Sequence, residues 1–433
     1  MSNLSSASPI ATKLARKVMV RCDHLGALSD DGSVRFRPFL SPATARVHEA
    51  LRGYMNLSEL EPRVDALGNL IGHYESKYTG DIMQAPSVET LLLGSHIDTV
   101  VNAGKYDGIL GVLVSLAVVE AFHERAQALP FDIEVVAFSE EEGVRFGVPF
   151  LGSLAVSGQF DESLFELKDD GGVSLEQSLV DFGCHPAELP DADLRDALAF
   201  IEVHIEQGPY LASVDAPLGI VTDIAGQSRV NIVLQGSAGH AGTTPMNLRQ
   251  DALVAASMFI CEVERMAKAT DGLVATVGQL QVTPGAINVI PGEVQLSLDL
   301  RHPDDSVRTW AVRMLEQYAT SLCHARGLQL SWQITSEQVA TPMSATLTSQ
   351  LERALYDAPK LISGAGHDAM VMAKTIPTAL LFVRSPNGIS HHPDEIVDER
   401  DVALAIDALL KVIETLATTG LSQRLDTPGE FYG

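Results

Sequence analysis

The chain of 433 residues is 46% hydrophobic and 20% charged, enough apolar material for two domains or one large domain carrying an insertion. Its 30 lysines and arginines face 56 aspartates and glutamates, a net charge of −26, which argues against a nucleic-acid partner and suits an anionic membrane surface poorly. Cys22, Cys184, Cys261 and Cys323 lack metal-finger spacing, MSNLSSASPIATKLARK lacks a secretory core, and no apolar run reaches about 18 residues, so a cytoplasmic protein with neither a disulfide framework nor a membrane span is expected.

Residues 41–55 open on a Ser-Pro start signal and carry apolar side chains at helical spacing. Residues 62–76 predict a strand pair around Gly68-Asn69, and 88–98 a buried strand. The segment 108–129 predicts a helix apolar nearly all round, hence buried, and 131–140 another buried strand. Strands alternating with helices imply an α/β layered sheet. Near residue 214 the pattern changes. A strand (229–236), a helix (247–269), two strands (273–282 and 292–301), a helix (306–327) and a strand (328–335) spell β-α-β-β-α-β, a ferredoxin-like unit complete in itself. After a helical stretch at 349–358, a buried strand (378–385) and a closing helix (398–420) return to the first pattern. The expected organisation is a discontinuous larger domain, 1–213 with 336–433, holding an inserted domain at 214–335.

The stretch LLLGSHIDTVVNAGKYDGILGV (91–112) ends an apolar run in His96 and Asp98, two residues apart and so on one face of a strand. Ligands bind at the carboxyl ends of strands in open α/β sheets, and a carboxylate beside an imidazole aims its other nitrogen at a metal. A hydrogen-bonded loop accounts for one such pair equally well. Asp107 reads as the N-cap of the next helix or as a carboxylate bridging two cations. Glu140, Glu141 and Glu142 end the strand at 131–140. They read as a solvated cluster or, in a half-buried cleft, as like charges that a dication would relieve, one ligating while its neighbour acts as general base. AFIEVHIEQGPYL (199–211) places His204, Glu206 and Gln207 at a third strand mouth, and GISHHPDE places His391 and His392 in a Gly-Pro-bounded loop after a fourth. Each histidine alone reads as a loop residue. Four apolar strands delivering His, Asp or Glu at the same kind of boundary read as one site, and oxygen and imidazole ligands without cysteine suit zinc or manganese in a hydrolytic centre.

The motifs GSHIDTV…GKYDG, EEGVRF, HIEQGP, GHAGTTPM, INVIPG…LDLR and GISHHPDE, in this order, resemble the hydantoinase/carbamoylase family of binuclear metallo-amidohydrolases, relatives of the aminoacylases and carboxypeptidases. The resemblance implies a mixed-sheet, metallo-exopeptidase-like α/β catalytic domain with an inserted ferredoxin-like lid and dimerisation domain. It implies two divalent ions per subunit, manganese, zinc or cobalt. His96 and His204 would hold one, Glu142 and His391 the other, with Asp107 bridging. Glu141 matches the general base and Asp98 the residue orienting His96. The peptidase relatives carry a carboxylate where this chain has His204. Gln207, His240, Asn288 and Arg301 match residues that bind the substrate's carboxylate and amide, His240 reaching in from the other subunit of a homodimer. A guanidinium forks well onto a carboxylate, although an ion pair of Arg301 with Asp299 or Asp304 is the plainer reading. SGAGHDA (363–369) resembles a substrate-facing loop. The implied reaction is hydrolysis of the ureido (N-carbamoyl) C–N bond of a small anion. NAGKYDGILGV and SGAGHDAM look more like allantoate amidohydrolases, which release ureidoglycine, ammonia and CO2, than like N-carbamoyl-L-amino-acid hydrolases or β-ureidopropionases. A metallo-dipeptidase, an aminoacylase and a non-catalytic binding relative are the remoter readings.

Overall fold

A computed structural model describes residues 7–75 and 89–419. The first six residues of the N-terminal stretch, and Ser76, Val88 and Gly420 at the ends of three expected elements, lie outside the described residues. The chain forms two compact units, one of residues up to Thr222 and from Met343 onward, the other Asp223–Pro342. Both divisions fall several residues later than the sequence pattern places them. The strand Leu218–Ile224 belongs to the sheet of the first unit, and the chain rejoins that unit where the Met343 N–H bonds the Thr222 carbonyl (2.8 Å).

The first unit opens on α1 (Pro9–Gly26), a helix the sequence reading passed over. Ser8 caps it by accepting the Ala11 N–H (3.2 Å), Pro9 occupies the first turn, and Leu14, Val18, Cys22 and Leu25 bury one face. α2 (Pro42–Leu57) is capped by Ser41 in the same way. β1 (Glu61–Val64) and β2 (Leu70–Tyr74) pair antiparallel across the expected turn. Then come β3 (Thr90–His96), α3 (Ile109–Glu124), β4 (Asp132–Phe138), β5 (Ala199–Ile205) and β6 (Leu218–Ile224).

The second unit contains β7 (Gly226–Gln235), α4 (Ala252–Ala269), β8 (Leu280–Thr283), β9 (Glu293–His302), α5 (Asp305–Arg326) and β10 (Gln329–Gln338). Its sheet runs β8-β9-β7-β10 with every neighbour antiparallel, the ferredoxin-like arrangement. Inward-facing Val230, Ile232 and Leu234 on β7 and Val294, Leu296 and Leu298 on β9 share a core with Ala255, Phe259, Ala311 and Leu315 of the two helices. The strand expected at 273–282 is interrupted. Val274–Thr276 and β8 pair separately with β9, and between them the Gln279 N–H bonds the Ser297 hydroxyl (3.1 Å), which breaks the ladder.

β11 (Thr378–Val383) and α6 (Glu399–Thr419) return to the first unit, whose mixed sheet runs β1-β2-β4-β3-β5-β11-β6. The four strands β4, β3, β5 and β11 are mutually parallel, so their carboxyl ends and the residues that follow arrive along one edge. α3 is buried from Ile109 to Phe122, packed on β3, β4 and β5 with α1 and α6 against it. Cys22, Cys184 and Cys323 are buried, Cys261 is exposed, and all four are free thiols. Among the described residues no helix is long and apolar enough to cross a membrane.

α3 sits this close because Gly111 faces β5: a Cβ there would overlap the Val203 carbonyl oxygen. Gly111→Ala is expected to destabilise the protein by on the order of 3 kcal/mol, as overpacking against backbone leaves no side chain to rotate away. An unchanged thermal unfolding midpoint would contradict that close approach.

Candidate metal centre

The sheet edge brings the parallel strand ends together around Asp107, which is 3% exposed. Asp107 does not cap α3. The N-cap is Gly108 with no side-chain bond, and the carboxylate is turned away from the helix into a cluster of imidazoles. Its Oδ1 lies 3.2 Å from His204 Nε2 and 3.7 Å from His96 Nε2, and the two ring nitrogens are 3.3 Å apart. The opposite ring nitrogens are already engaged. His204 Nδ1 bonds the Ile205 carbonyl (2.9 Å), while His96 Nδ1 lies 3.2 Å from the Asp98 carbonyl and 3.4 Å from its Oδ1. In neutral rings these bonds put the N–H on Nδ1 and aim both Nε2 lone pairs, with Asp107 Oδ1, at one point. Three electron-pair donors at one point fit a cation; in the metal-free protein burial opposes charge on both imidazoles, but their hydrogen bonds to Asp107 outweigh it and hold them above the ordinary histidine range.

The other oxygen faces a second set. Asp107 Oδ2 lies 3.2 Å from His391 Nε2, which is 3.7 Å from Glu142 Oε1. Gln207, in left-handed backbone conformation, places its Nε2 3.1 Å from Oδ2 and 3.3 Å from Oδ1. The His, Asp and Glu of both sets lie close enough for one ion to touch three of them at once. These are groups able to hold a divalent metal.

The triple glutamate is not a solvated cluster. Glu140 is wholly buried and Glu141 nearly so. The loop is held by Asp98, whose Oδ1 and Oδ2 accept the backbone N–H groups of Glu141 and Glu142, each at 3.0 Å. Asp98 therefore orients a histidine and fixes the glutamate loop together. Burial disfavours the charge of Glu141, His96 partly offsets it, and neighbouring Glu142 adds to it, so the carboxyl stays protonated far above the ordinary carboxylate range. Burial and Asp107 raise Glu142 to about 7. Burial opposes the charge on Asp107 too, but His204, His391 and His96 overcome it and hold the carboxyl well below its usual range. The Asp107 hydrogen bond lifts His391 to about 9.

Four buried groups at this site were given no role from sequence. Glu202, a charge inside an apolar strand and two residues before His204, accepts from Ser95 Oγ and the Ala369 N–H (both 2.8 Å). His367 stacks edge-on against His204 (centroids 4.5 Å apart), and Asp368 beside it is fully buried. SGAGHDA thus divides: Ala365 lines a cavity with Gln207, Ser390, His391 and His392, while His367 and Asp368 turn into the core. Glu395, the last residue of GISHHPDE, is the fourth. Glu206 serves locally, accepting the Tyr210 and Leu211 N–H groups (2.7 and 3.1 Å).

His240, Asn288 and Arg301 lie in the second unit. His240 stands on a two-residue strand opposite Val289, next to Asn288, whose carbonyl accepts the Ala241 N–H (3.0 Å); both side chains are exposed. Arg301 on β9 makes the plainer of its expected pairings, with Asp299 (Nε–Oδ1 2.9 Å).

The profile of the peptidase family M20/M25/M40 matches residues 92–415. A probable allantoate deiminase of Oryza sativa subsp. japonica is 37% identical over 93% of this chain and 88% of its own length. An N-carbamoyl-L-amino acid amidohydrolase of Geobacillus stearothermophilus is also 37% identical, over 86% of this chain and 91% of its own. Among solved structures, an amidase of the hydantoinase/carbamoylase family from Burkholderia multivorans superposes with a TM-score of 0.87 at 27% identity, covering 95% of this chain and 98% of that one.

Metal uptake should be coupled to protons. Metal ligands must be deprotonated, and in the metal-free protein His391 and Glu142 hold protons up to about 9 and about 7. Affinity for a dication should therefore strengthen as pH rises from 6 towards 9, with protons released on binding near pH 8. Calorimetric titration in buffers of different ionisation enthalpy reads that release directly, and its absence would remove His391 from the ligand set.

Proposed function

The chain belongs to peptidase family M20/M25/M40, and from that membership we propose that it is a metal-dependent amidohydrolase cleaving the ureido C–N bond of allantoate to give ureidoglycine, ammonia and CO2. The observation that carries the reading is Asp107, whose two oxygens each face a separate set of imidazole and carboxylate donors, as a carboxylate shared by two ions would. His96 and His204 would hold one ion, and Glu142 and His391 the other, with manganese, zinc or cobalt all suited to these donors. When bound, the ions supply Lewis-acid polarisation of the ureido carbonyl and acidify water.

This chain's residues do the rest. Glu141 takes the proton of the attacking water on its carboxylate and returns it to the nitrogen that leaves. One water is consumed: attack on the ureido carbon breaks its bond to that nitrogen, and the carbamate released decomposes to ammonia and CO2. Asp98 keeps Glu141 in register through the two backbone N–H groups it accepts. Arg301 and Asn288 bind the substrate's carboxylate and amide with Gln207, and His240 of the partner subunit stabilises the oxyanion. The second unit is in this reading the lid and the dimerisation domain of a cytoplasmic homodimer. Allantoate is preferred to an N-carbamoyl amino acid on the likeness of NAGKYDGILGV and SGAGHDAM to allantoate amidohydrolases.

Glu141→Gln should keep fold and metal content yet lower kcat by about 100- to 10,000-fold. Near-wild-type turnover would dismiss Glu141 as the base. Ammonia release by manganese-reconstituted protein, measured against a chelated control, tests the substrate. Release from allantoate alone supports the proposal, and release from N-carbamoyl-L-amino acids instead would transfer the activity to that class.

A further inference from the structure

Glu395 stands outside the ligand set, yet it ties the His391 loop to the main chain of the Asp107 loop. Its carboxylate is 1% exposed and makes no ion pair among the described residues. Oε1 accepts the backbone N–H groups of Tyr106 (2.8 Å) and Asp107 (3.1 Å), across 288 residues of chain in the latter case. Oε2 accepts from Ser390 Oγ (3.3 Å), a hydroxyl that also lies 3.0 Å from Asp107 Oδ2. On its own loop the Glu395 N–H closes a turn onto the His392 carbonyl (3.1 Å), next to His391 in left-handed conformation. The other loop leaves room for the carboxylate: a Cβ on Gly104 would overlap it.

We propose that Glu395 is a positioning residue that pins the His391 loop to the Asp107 loop and so sets the affinity of the second ion, the one shared by Asp107, Glu142 and His391. The inference rests on the two-ion reading above. Charge-assisted bonds from a carboxylate to two consecutive main-chain N–H groups fix a peptide plane more firmly than a side-chain contact would. The plane held here carries Asp107. Partners of this kind, one bond removed from a ligand, typically alter metal affinity by about 10–100-fold.

The test is a metal titration of metal-free protein against a chromophoric chelator, with amide hydrogen exchange followed at Tyr106 and Asp107. Glu395→Ala should weaken the second ion by about 10–100-fold, leave the first near its wild-type affinity, and speed exchange at both amides. Glu395→Gln, which keeps a carbonyl acceptor and can donate to Ser390, should restore much of the affinity. Gly104→Ala, which crowds the seat but leaves the carboxylate, should reproduce the selective loss. The retained first ion serves as the control for folding. Two ions held with wild-type affinity in Glu395→Ala, or both weakened equally with no rescue by Gln, would overturn the proposal while sparing the two-ion reading. A wild-type chain that takes up no dication would overturn both.

Discussion

The structure turns on how many carboxylates it buries at one sheet edge. Asp98, Asp107, Glu140, Glu141, Glu202, Asp368 and Glu395 are all out of solvent. An unpaired buried charge costs several kcal/mol even after local relaxation, and like charges compound the cost. The compensating cations within reach are few. Arg37 is one, a buried guanidinium whose donors go to the main-chain carbonyls of Ile97 (2.5 Å) and Leu25 (3.1 Å) and whose charge is favoured by Asp98. Arg145, which favours the charge of Glu140 against its burial, is another, and the histidines of the cluster carry charge only while protonated. Without dications burial and neighbouring carboxylates hold protons on Glu140, Glu141 and Glu142, while Asp107 holds them on His96, His204 and His391 in spite of burial. A divalent ion replaces those protons with a charge that does not depend on pH.

A second regularity concerns where the carboxylates spend their lone pairs. Asp98 accepts from Glu141 and Glu142, Glu140 from Arg145, Glu202 from Ala369, and Glu206 from Tyr210 and Leu211, in each case through backbone N–H. A main-chain donor cannot rotate away as a serine or lysine can. Asp98 and Glu202 thus tie their strand ends to other elements, while Glu140 and Glu206 brace their own loops. Preorganisation of this kind costs nothing at the moment of reaction, which is where electrostatic sites gain their advantage.

Much of this was legible in the sequence, and the reasons are physical. The α/β alternation, the ferredoxin-like order and the residues at the four strand ends follow from hydrophobic period and from the rule that parallel strands present their carboxyl ends together. The orientation of Asp107 was not legible. An aspartate before a helix caps it far more often than it turns away, and only the positive-φ Gly108 after it, with no side-chain cap bond, leaves the carboxylate free. α1 escaped because its Ser-Pro signal sits in a stretch whose composition reads as a polar tail. Glu202, His367 and Glu395 escaped for a shared reason: their partners are main-chain or distant in sequence, and no local spacing announces them. The charge of Glu202 amid Phe200, Ile201 and Val203 was the one available signal.

The Asp107 N–H, donated to Glu395, closes a loop of 288 residues, with His204 delivered in between and His96 just ahead of it. During synthesis the ribosome adds about 5–20 residues per second, and domains tend to fold as they emerge. For much of that time the growing chain can present His96, Asp107 and His204 but not the loop that completes the other half. A chain released early has one of the two donor sets and none of the loop that completes the other. The centre is therefore a feature of the nearly finished chain, and translation ending before Ser390 would leave the His96, Asp107 and His204 set without its partner loop and with an open acidic edge.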